Sequence, residues 1–338
     1  MTAKIIFGSD KLGHIEEKQI ELMLERHQLG KLISFERTDK GAMGQTMFIR
    51  TEEGAYVFKG NPLYKGQLVE EKYFIDTIHE RTEIPVPTPY IIDYDKEIFG
   101  WSYALMPLLE GEHLNDSHIK EWLTTKEKVQ IAEKIATTLA VFHQWDVPEF
   151  GELNPESLEI IPFKSSYTTW LFNRIVFWLK DAKKYSVITE EDVDWVKSLL
   201  NEAEETFNHI TAPTFVMGDF KADNFLVRKE KIGWEISGVF DFTNAYFADP
   251  LLDLIKMTIL YIDQDEIEIA KHLMTTYFSK TQVTGDVKTR LMVHMLHQRV
   301  LDWGSAKATN RVTWDNEMPF SEWVKGYMDI VEKILSYN

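Results

Sequence analysis

The hydrophobic pattern of this chain changes period once, near Pro107, and that change restricts the folds open to it. Before Pro107 the apolar residues alternate as in strands. Lys31–Asp39 reads as one strand, followed by a glycine turn at Gly41-Ala-Met-Gly44. Thr46–Thr51 and Ala55–Lys59 follow, joined by Glu52-Glu-Gly54, which is a hairpin signal. Leu68, Phe74, Ile75 and Ile78 then share a helical face, bounded by Ile84-Pro-Val-Pro-Thr-Pro89. Tyr90–Tyr94 and Trp101–Met106 read as two further strands. After Pro107 the spacing is helical. Val129, Ile131, Ala132, Ile135, Ala136, Leu139 and Phe142 line one face over Thr125–His143. Further helices are expected at Trp170–Tyr185, Glu190–Asn208, Leu251–Ile262, Glu266–Phe278, Arg290–Trp303 and Trp323–Leu335, with short strands at Phe215–Met217, Phe225–Arg228 and Glu235–Phe240. The expectation is an α+β chain of two lobes, a small β-rich one over residues 1–107 and a larger, mainly helical one over residues 108–338. The stretch Met106–Gly111 is the hinge between them.

Composition removes several chemistries. With 338 residues the chain can bury a large core without staples. It contains no cysteine, so disulfides, thiolate metal sites and cysteine nucleophiles are excluded. The formal net charge is −17, and −13 of it falls after Leu108. Such acidity repels nucleic-acid phosphates and anionic lipid and favours cationic small molecules. The first residues hold too short an apolar stretch for a signal peptide, and no apolar run approaches the roughly 18 residues of a membrane helix. A cytoplasmic protein with neither nucleic-acid nor membrane partners is expected.

The chemistry is concentrated in Met217-Gly-Asp-Phe-Lys-Ala-Asp-Asn224 and, one strand pair later, Val239-Phe-Asp-Phe-Thr243. Tight loops at strand ends can aim Asp219, Lys221, Asn224 and Asp241 into a shared space. A carboxylate with an amide oxygen suits a hard cation such as Mg²⁺. A second carboxylate can orient a hydroxyl and accept its proton, while a lysine balances phosphate charge. That set fits phosphoryl transfer.

These residues resemble the catalytic loop and metal-binding Asp of the aminoglycoside phosphotransferase and choline kinase family, a small-molecule branch of the protein-kinase-like fold. Lys59, ending an Ala-Tyr-Val-Phe strand, is similar to the kinase phosphate-binding lysine, and Glu71 to the helix glutamate that pairs with it. Glu70 would take that role if the helix were rotated by one residue. Ser102–Gly111 resembles the hinge, Ile131–His143 the lobe-core helix, and Ala248-Asp-Pro-Leu-Leu-Asp-Leu254 the Asp-Pro segment after the metal site. The resemblance spans roughly Phe35 to Leu254, and the order of its motifs carries more weight than any one of them.

The resemblance implies ATP or GTP as phosphoryl donor, with its base bonded to backbone near Ala104–Met106. Lys59 would hold the α/β-phosphates and Glu71 would orient it, with the amides of Gly44 and Gln45 facing phosphate. Asn224 and Asp241 would hold Mg²⁺, Asp219 would serve as base, and Lys221 would touch the moving γ-phosphoryl. The acceptor would be a hydroxyl on a small cationic molecule, an aminoglycoside first, with macrolide, choline or ethanolamine and sugar kinases as alternatives. A nucleotide-binding scaffold of weakened activity is a second class, and a monomer or weak homodimer is expected. Met217 stands where the family usually has His, and an apolar Met packed beneath the loop can substitute for it.

The remaining features have plainer readings. Asp253 is expected to anchor the loop, and Asp249 either supports the loop or touches substrate. His294 and His297 read as ordinary helix histidines, and Trp170, Phe172, Phe177 and Trp178 as core packing with substrate stacking second. Glu190-Glu-Asp192 reads as a helix start, where carboxylates favour the dipole.

Overall fold

The protein is described by a computed structural model over residues 14–38 and 45–336. The first lobe is a five-stranded antiparallel sheet of β1 (Leu32–Arg37), β2 (Gln45–Thr51), β3 (Ala55–Gly60), β4 (Ile91–Asp93) and β5 (Tyr103–Pro107), in the order β1-β2-β3-β5-β4. Its strands alternate, so each face of the sheet has its own core. Met47, Ile49, Phe58, Tyr103 and Leu105 turn to one face and meet Ile20, Met23 and Leu24 of helix α1 (Glu17–His27). That helix is an addition to the expected elements. Glu16 and Gln19 form a reciprocal capping box at its start. The other face carries α2 (Gln67–Arg81), whose Leu68, Phe74, Ile75 and Ile78 are buried in the expected pattern.

The sheet ends at Pro107, where the hydrophobic period changes, but the apolar core does not. Phe74, Ile75, Ile78, Tyr90, Ala104 and Met106 belong to the same cluster as the helices that follow. Those are α3 (Ser117–Trp122), α4 (Thr125–Phe142), α5 (Tyr167–Ala182), α6 (Glu190–Asn208), α7 (Leu254–Asp263), α8 (Ile267–Lys280), α9 (Val287–Thr309) and α10 (Phe320–Ser336). Helix α4 is the central one. Thr124 and Glu127 cap its N-terminus reciprocally, and Ile131, Ala132, Ile135, Ala136 and Leu139 are buried along its length. The acidic run Glu190–Asp192 opens α6, where Thr189 and Asp192 form another capping box.

Between the helices, β9 (Phe225–Glu230) and β10 (Gly233–Val239) form a hairpin. Four three-residue strands, β6 (Gly151–Leu153), β7 (Ile160–Pro162), β8 (Thr214–Val216) and β11 (Tyr246–Ala248), form a second small sheet in the order β7-β6-β11-β8. Strands β8 and β9 bracket residues 217–224, and β10 delivers the chain to Asp241. No helix among the described residues is long and apolar enough to cross a membrane.

Candidate active site

The loop after β8 is fixed before it is functional. Met217 is buried in the main core, in the packing role expected for it. The N–H groups of Met217 and Gly218 donate to the two oxygens of Asp253, at 2.7 and 2.8 Å. Asp253 is itself buried and lies 3.3 Å from His143 Nε2, whose Nδ1 meets Tyr277. Gly218 adopts φ 71°, and a Cβ there would stand 2.3 Å from the carbonyl oxygen of Asn244. Glycine is required at this point both for the left-handed backbone and for the close approach. Phe220 and Ala222 then alternate into the core, which leaves Asp219 and Lys221 on the opposite side.

Asp219 is held from three directions. Lys221 Nζ stands 3.0 Å from one carboxylate oxygen, Lys256 of α7 bonds the other, and Asn224 donates its side-chain N–H to the Asp219 carbonyl at 2.8 Å. Donation from the Asn224 nitrogen turns its amide oxygen away, available as an acceptor. Burial works against the charge on Lys221, yet the carboxylates of Asp219, Asp241 and Asp223 together outweigh it and raise the Lys221 pKa. Lys221 thus lies within the fields of Asp219 and Asp241 alike.

Asp241 follows β10 after one residue, Phe240. The N–H of Phe240 donates to the Asn224 carbonyl at 3.0 Å, so the two loop ends are stitched together. Asp241 adopts φ 68°, a left-handed conformation that costs a non-glycine residue energy and often marks functional positions. One of its oxygens accepts from Lys59 Nζ at 3.0 Å and from the Thr243 hydroxyl at 2.8 Å. Lys59 also donates to Glu71 at 2.6 Å, and the other Glu71 oxygen accepts from the Tyr90 hydroxyl at 2.8 Å. Burial opposes the charge on Lys59, but Asp241 and Glu71 together win, and its pKa is raised. For Asp241 the balance is the mirror image: burial would raise its pKa, and Lys59 lowers it. The neighbouring Glu70 pairs instead with the Tyr64 hydroxyl at 2.7 Å, which decides between the two glutamates.

Lys59, Glu71, Asp241, Asn224, Asp219 and Lys221 are thus joined by direct contacts and shared fields. Other expected residues stand differently. Gly44 lies outside the described residues, while Gln45 is the first residue of β2, paired with Gly60 and buried. Ala104 and Met106 sit opposite Lys59 and Val57 in the β3–β5 ladder. Leu108 N–H donates to the Ala55 carbonyl, and hydrogen-bonded pairs alternate along an antiparallel ladder, so Ala104 and Met106 spend their backbone groups on β3. This corrects the expectation that these two residues offer backbone to a base. The same alternation turns the Pro107 carbonyl toward the other edge, at a point where β4 has not begun.

Asp249 is fully buried and accepts from Arg290 Nε at 2.9 Å, from a second Arg290 nitrogen, from the Leu251 N–H, and lies 2.8 Å from His294 Nε2. It anchors the Pro250–Asp253 turn to α9. His297 is also buried and lies 3.3 Å from Arg174 Nε. Among the described residues no cluster of three or more His, Asp or Glu side chains gathers as a metal site. A cation carried by a nucleotide asks for less. One carboxylate and one amide oxygen suffice when phosphates supply the remaining ligands, and Asp241 and Asn224 carry such a pair of groups. Lys256, Tyr90 and Thr243 were not anticipated from sequence.

Residues 34–285 match the model of the phosphotransferase enzyme family. A probable acyl-CoA dehydrogenase of Arabidopsis thaliana is 23% identical over 225 residues, 58% of this chain. The chain spans 25% of that curated relative's length. Among solved structures, the GDP complex of an aminoglycoside 2'-phosphotransferase-IIIa mutant superposes with TM-score 0.62 at 15% identity, over 95% of this chain and 97% of the other. A thermostable mutant of aminoglycoside phosphotransferase APH(4)-Ia, in a ternary complex with ADP and hygromycin B, gives TM-score 0.60 at 14% identity over 94% and 98%.

Proposed function

The chain belongs to the phosphotransferase enzyme family and has its protein-kinase-like fold, and from that premise we propose that it transfers the γ-phosphoryl group of ATP or GTP to a hydroxyl of a small molecule. The observation that carries this reading is Lys59, bonded at once to Glu71 and Asp241 beside the loop that presents Asp219, Lys221 and Asn224. In this reading residues 1–107 and 108–338 act as two lobes with the nucleotide between them. The purine edge meets backbone at the Pro107 carbonyl.

Each residue then has a defined task. Lys59 neutralises the α/β-phosphates, and Glu71, fixed by Tyr90, keeps its ammonium group in place. Asp241 and Asn224 hold Mg²⁺, which neutralises charge on the phosphates when bound. Asp219 orients the acceptor hydroxyl. The acceptor oxygen forms a bond to the γ-phosphorus while the bond to the β–γ bridging oxygen breaks, and Asp219 takes the hydroxyl proton late. Lys221, between the fields of Asp219 and Asp241, offsets charge on the phosphoryl group in flight. The nucleoside diphosphate is the leaving group.

The −13 carried after Leu108, and the hygromycin B bound by the second structural neighbour, support an aminoglycoside-type cation. The side chains immediately around Asp219, Lys221 and Lys256 first, support the opposite sign, and local charge outranks net charge for a ligand in contact with the site. Substitution of the base tests the catalytic reading. Asp219→Asn should leave Mg·nucleotide binding in place and lower kcat by about 10²–10⁴-fold. Unchanged turnover would remove Asp219 from the mechanism.

A further inference from the structure

The acceptor side of Asp219 is ringed by cations and aromatic faces. Asp219 carries Lys221 on one oxygen and Lys256 on the other. Lys256 is 25% exposed at its side chain and bears electrostatically on His297. His297 is buried, and burial first, then Arg174, His294 and Lys256, push its pKa well below 6.5, so it is neutral and accepts from Arg174 Nε. The Arg174 guanidinium is half-buried and stands 5.4 Å from the ring centre of Trp170, whose ring is 5.6 Å from that of Tyr246. Tyr246 in turn lies beside Gly218, where an added Cβ would come within 3.2 Å of its ring edge. Gly218 precedes Asp219, so these contacts close a circuit.

Charge in that circuit is unbalanced. Lys256 and Arg174 line this circuit with Asp219 as its one carboxylate, while Lys221, on the other Asp219 oxygen, is shared with Asp241 and Asp223. Among the described residues no carboxylate lies within ion-pair distance of Arg174. The nearby acids do not redress this. Asp249 is satisfied by Arg290 and His294, Asp253 by two backbone N–H groups, and Glu152 acts on Tyr246 from β6. An aminoglycoside would bring ammonium groups toward these cations, whereas an anion would supply the counter-charge that Arg174 lacks.

We propose that the acceptor is an alcohol that also bears a carboxylate or phosphate, its anionic group seated on Arg174 and Lys256 and its hydroxyl at Asp219. The inference rests on the kinase reading and adds the substrate class. Trp170 and Tyr246 supply a flat apolar wall for the carbon skeleton. The guanidinium, with its Nε directed to His297, keeps its two terminal nitrogens for a planar anion. When the anion engages Lys256, that lysine has a second partner besides Asp219, and the base is freed to accept the hydroxyl proton.

The test is an acceptor panel with Mg·ATP and Mg·GTP, reading nucleoside diphosphate release. Its arms are gluconate and lactate for carboxylates, a hexose phosphate for phosphates, glucose for a neutral alcohol, and hygromycin B for a cation. At least one anionic acceptor should exceed hygromycin B and glucose in kcat/KM by about tenfold or more, the factor corresponding to one charged contact. The carboxylate and phosphate arms then separate the two anion types. Arg174→Glu should lower kcat/KM for that acceptor by about tenfold or more, chiefly through KM, while Mg·nucleotide binding is unchanged. Arg174→Gln carries the same test with a smaller loss if the glutamate variant fails to fold. Faster turnover of hygromycin B, no turnover of any anionic acceptor, or wild-type kcat/KM in the Arg174 variants would overturn the proposal. In each of these cases intact Mg·nucleotide binding would leave the kinase reading standing, whereas loss of that binding in the wild type would overturn both.

Discussion

Asp253→Asn isolates what holds the catalytic loop in place. The substitution preserves shape and removes one acceptor from a buried carboxylate whose two oxygens receive the Met217 and Gly218 N–H groups at 2.7 and 2.8 Å. An asparagine has one carbonyl oxygen, so its NH₂ must face one of those donors. A hydrogen bond to a charged group contributes about 1.5–3 kcal/mol, and a buried N–H left without an acceptor costs about 1–3 kcal/mol. The expected destabilisation is about 3–5 kcal/mol, out of a total near 5–15 kcal/mol for a native protein. Urea unfolding at constant m reads it directly as a lower midpoint. The folded fraction should also turn over more slowly, because Asp219 lies one residue beyond Gly218, and a displacement of about 1 Å at a reacting group costs on the order of 10²-fold. A change below about 1 kcal/mol with unaltered kcat would refute the idea that Asp253 fixes the loop.

Three further outcomes follow from the same contacts. Arg290→Met leaves the Asp249 carboxylate buried without the guanidinium that bonds both its oxygens and should destabilise by about 3–5 kcal/mol; a midpoint within error of wild type would mean that His294 suffices. Tyr90→Phe removes the hydroxyl from the buried Glu71 and should cost about 1.5–3 kcal/mol in urea, with weaker nucleotide binding by isothermal titration. His297 is held neutral in the fold while its unfolded form titrates near 6.5, so the unfolded state takes up the extra proton and stability falls as pH drops below that value. The slope from this group is at most about 1.4 kcal/mol per pH unit, and His297→Gln should remove it. The lowered carboxylates of Asp241 and Asp249 act in a separate window: their contribution is complete above the ordinary carboxylate range and is lost only as pH falls through their lowered values.

The sequence exposes the parts of the site that are close together along the chain. Asp219, Lys221, Asn224 and Asp241 fall within one loop and the hairpin after it, so spacing alone nearly fixes their geometry. Lys59 and Glu71 are legible because a strand end and a helix face predict where each side chain points. Lys256 is not. It sits in the apolar pattern of α7, and its contact with Asp219 depends on how the turn at Pro250–Asp253 aims that helix. The Arg174–His297 contact joins α5 to α9 across 123 positions, beyond any local rule. Tyr90, between a proline run and β4, gives no sign of the Glu71 carboxylate it serves. The three-residue strands β6, β7, β8 and β11 are too short to show a period, although Phe215–Met217 marks the place of β8. Helix α1 did carry a signal, with Ile20, Met23 and Leu24 on one face, but it precedes the strand-rich stretch that dominates the reading of this lobe.

The central claim is that Lys59 and Asp241 meet to receive a metal-bound triphosphate. Thermal or urea unfolding with Mg·AMP-PNP and a non-hydrolysable GTP analogue, each with and without Mg²⁺, tests it most directly in the wild type and in Asp241→Asn. At 100-fold over Kd the account predicts about 2.7 kcal/mol of added stability in the wild type with Mg²⁺. It also predicts that most of this gain is lost without the metal or in the variant. No stabilisation by either nucleotide, or a gain identical in Asp241→Asn, would contradict it.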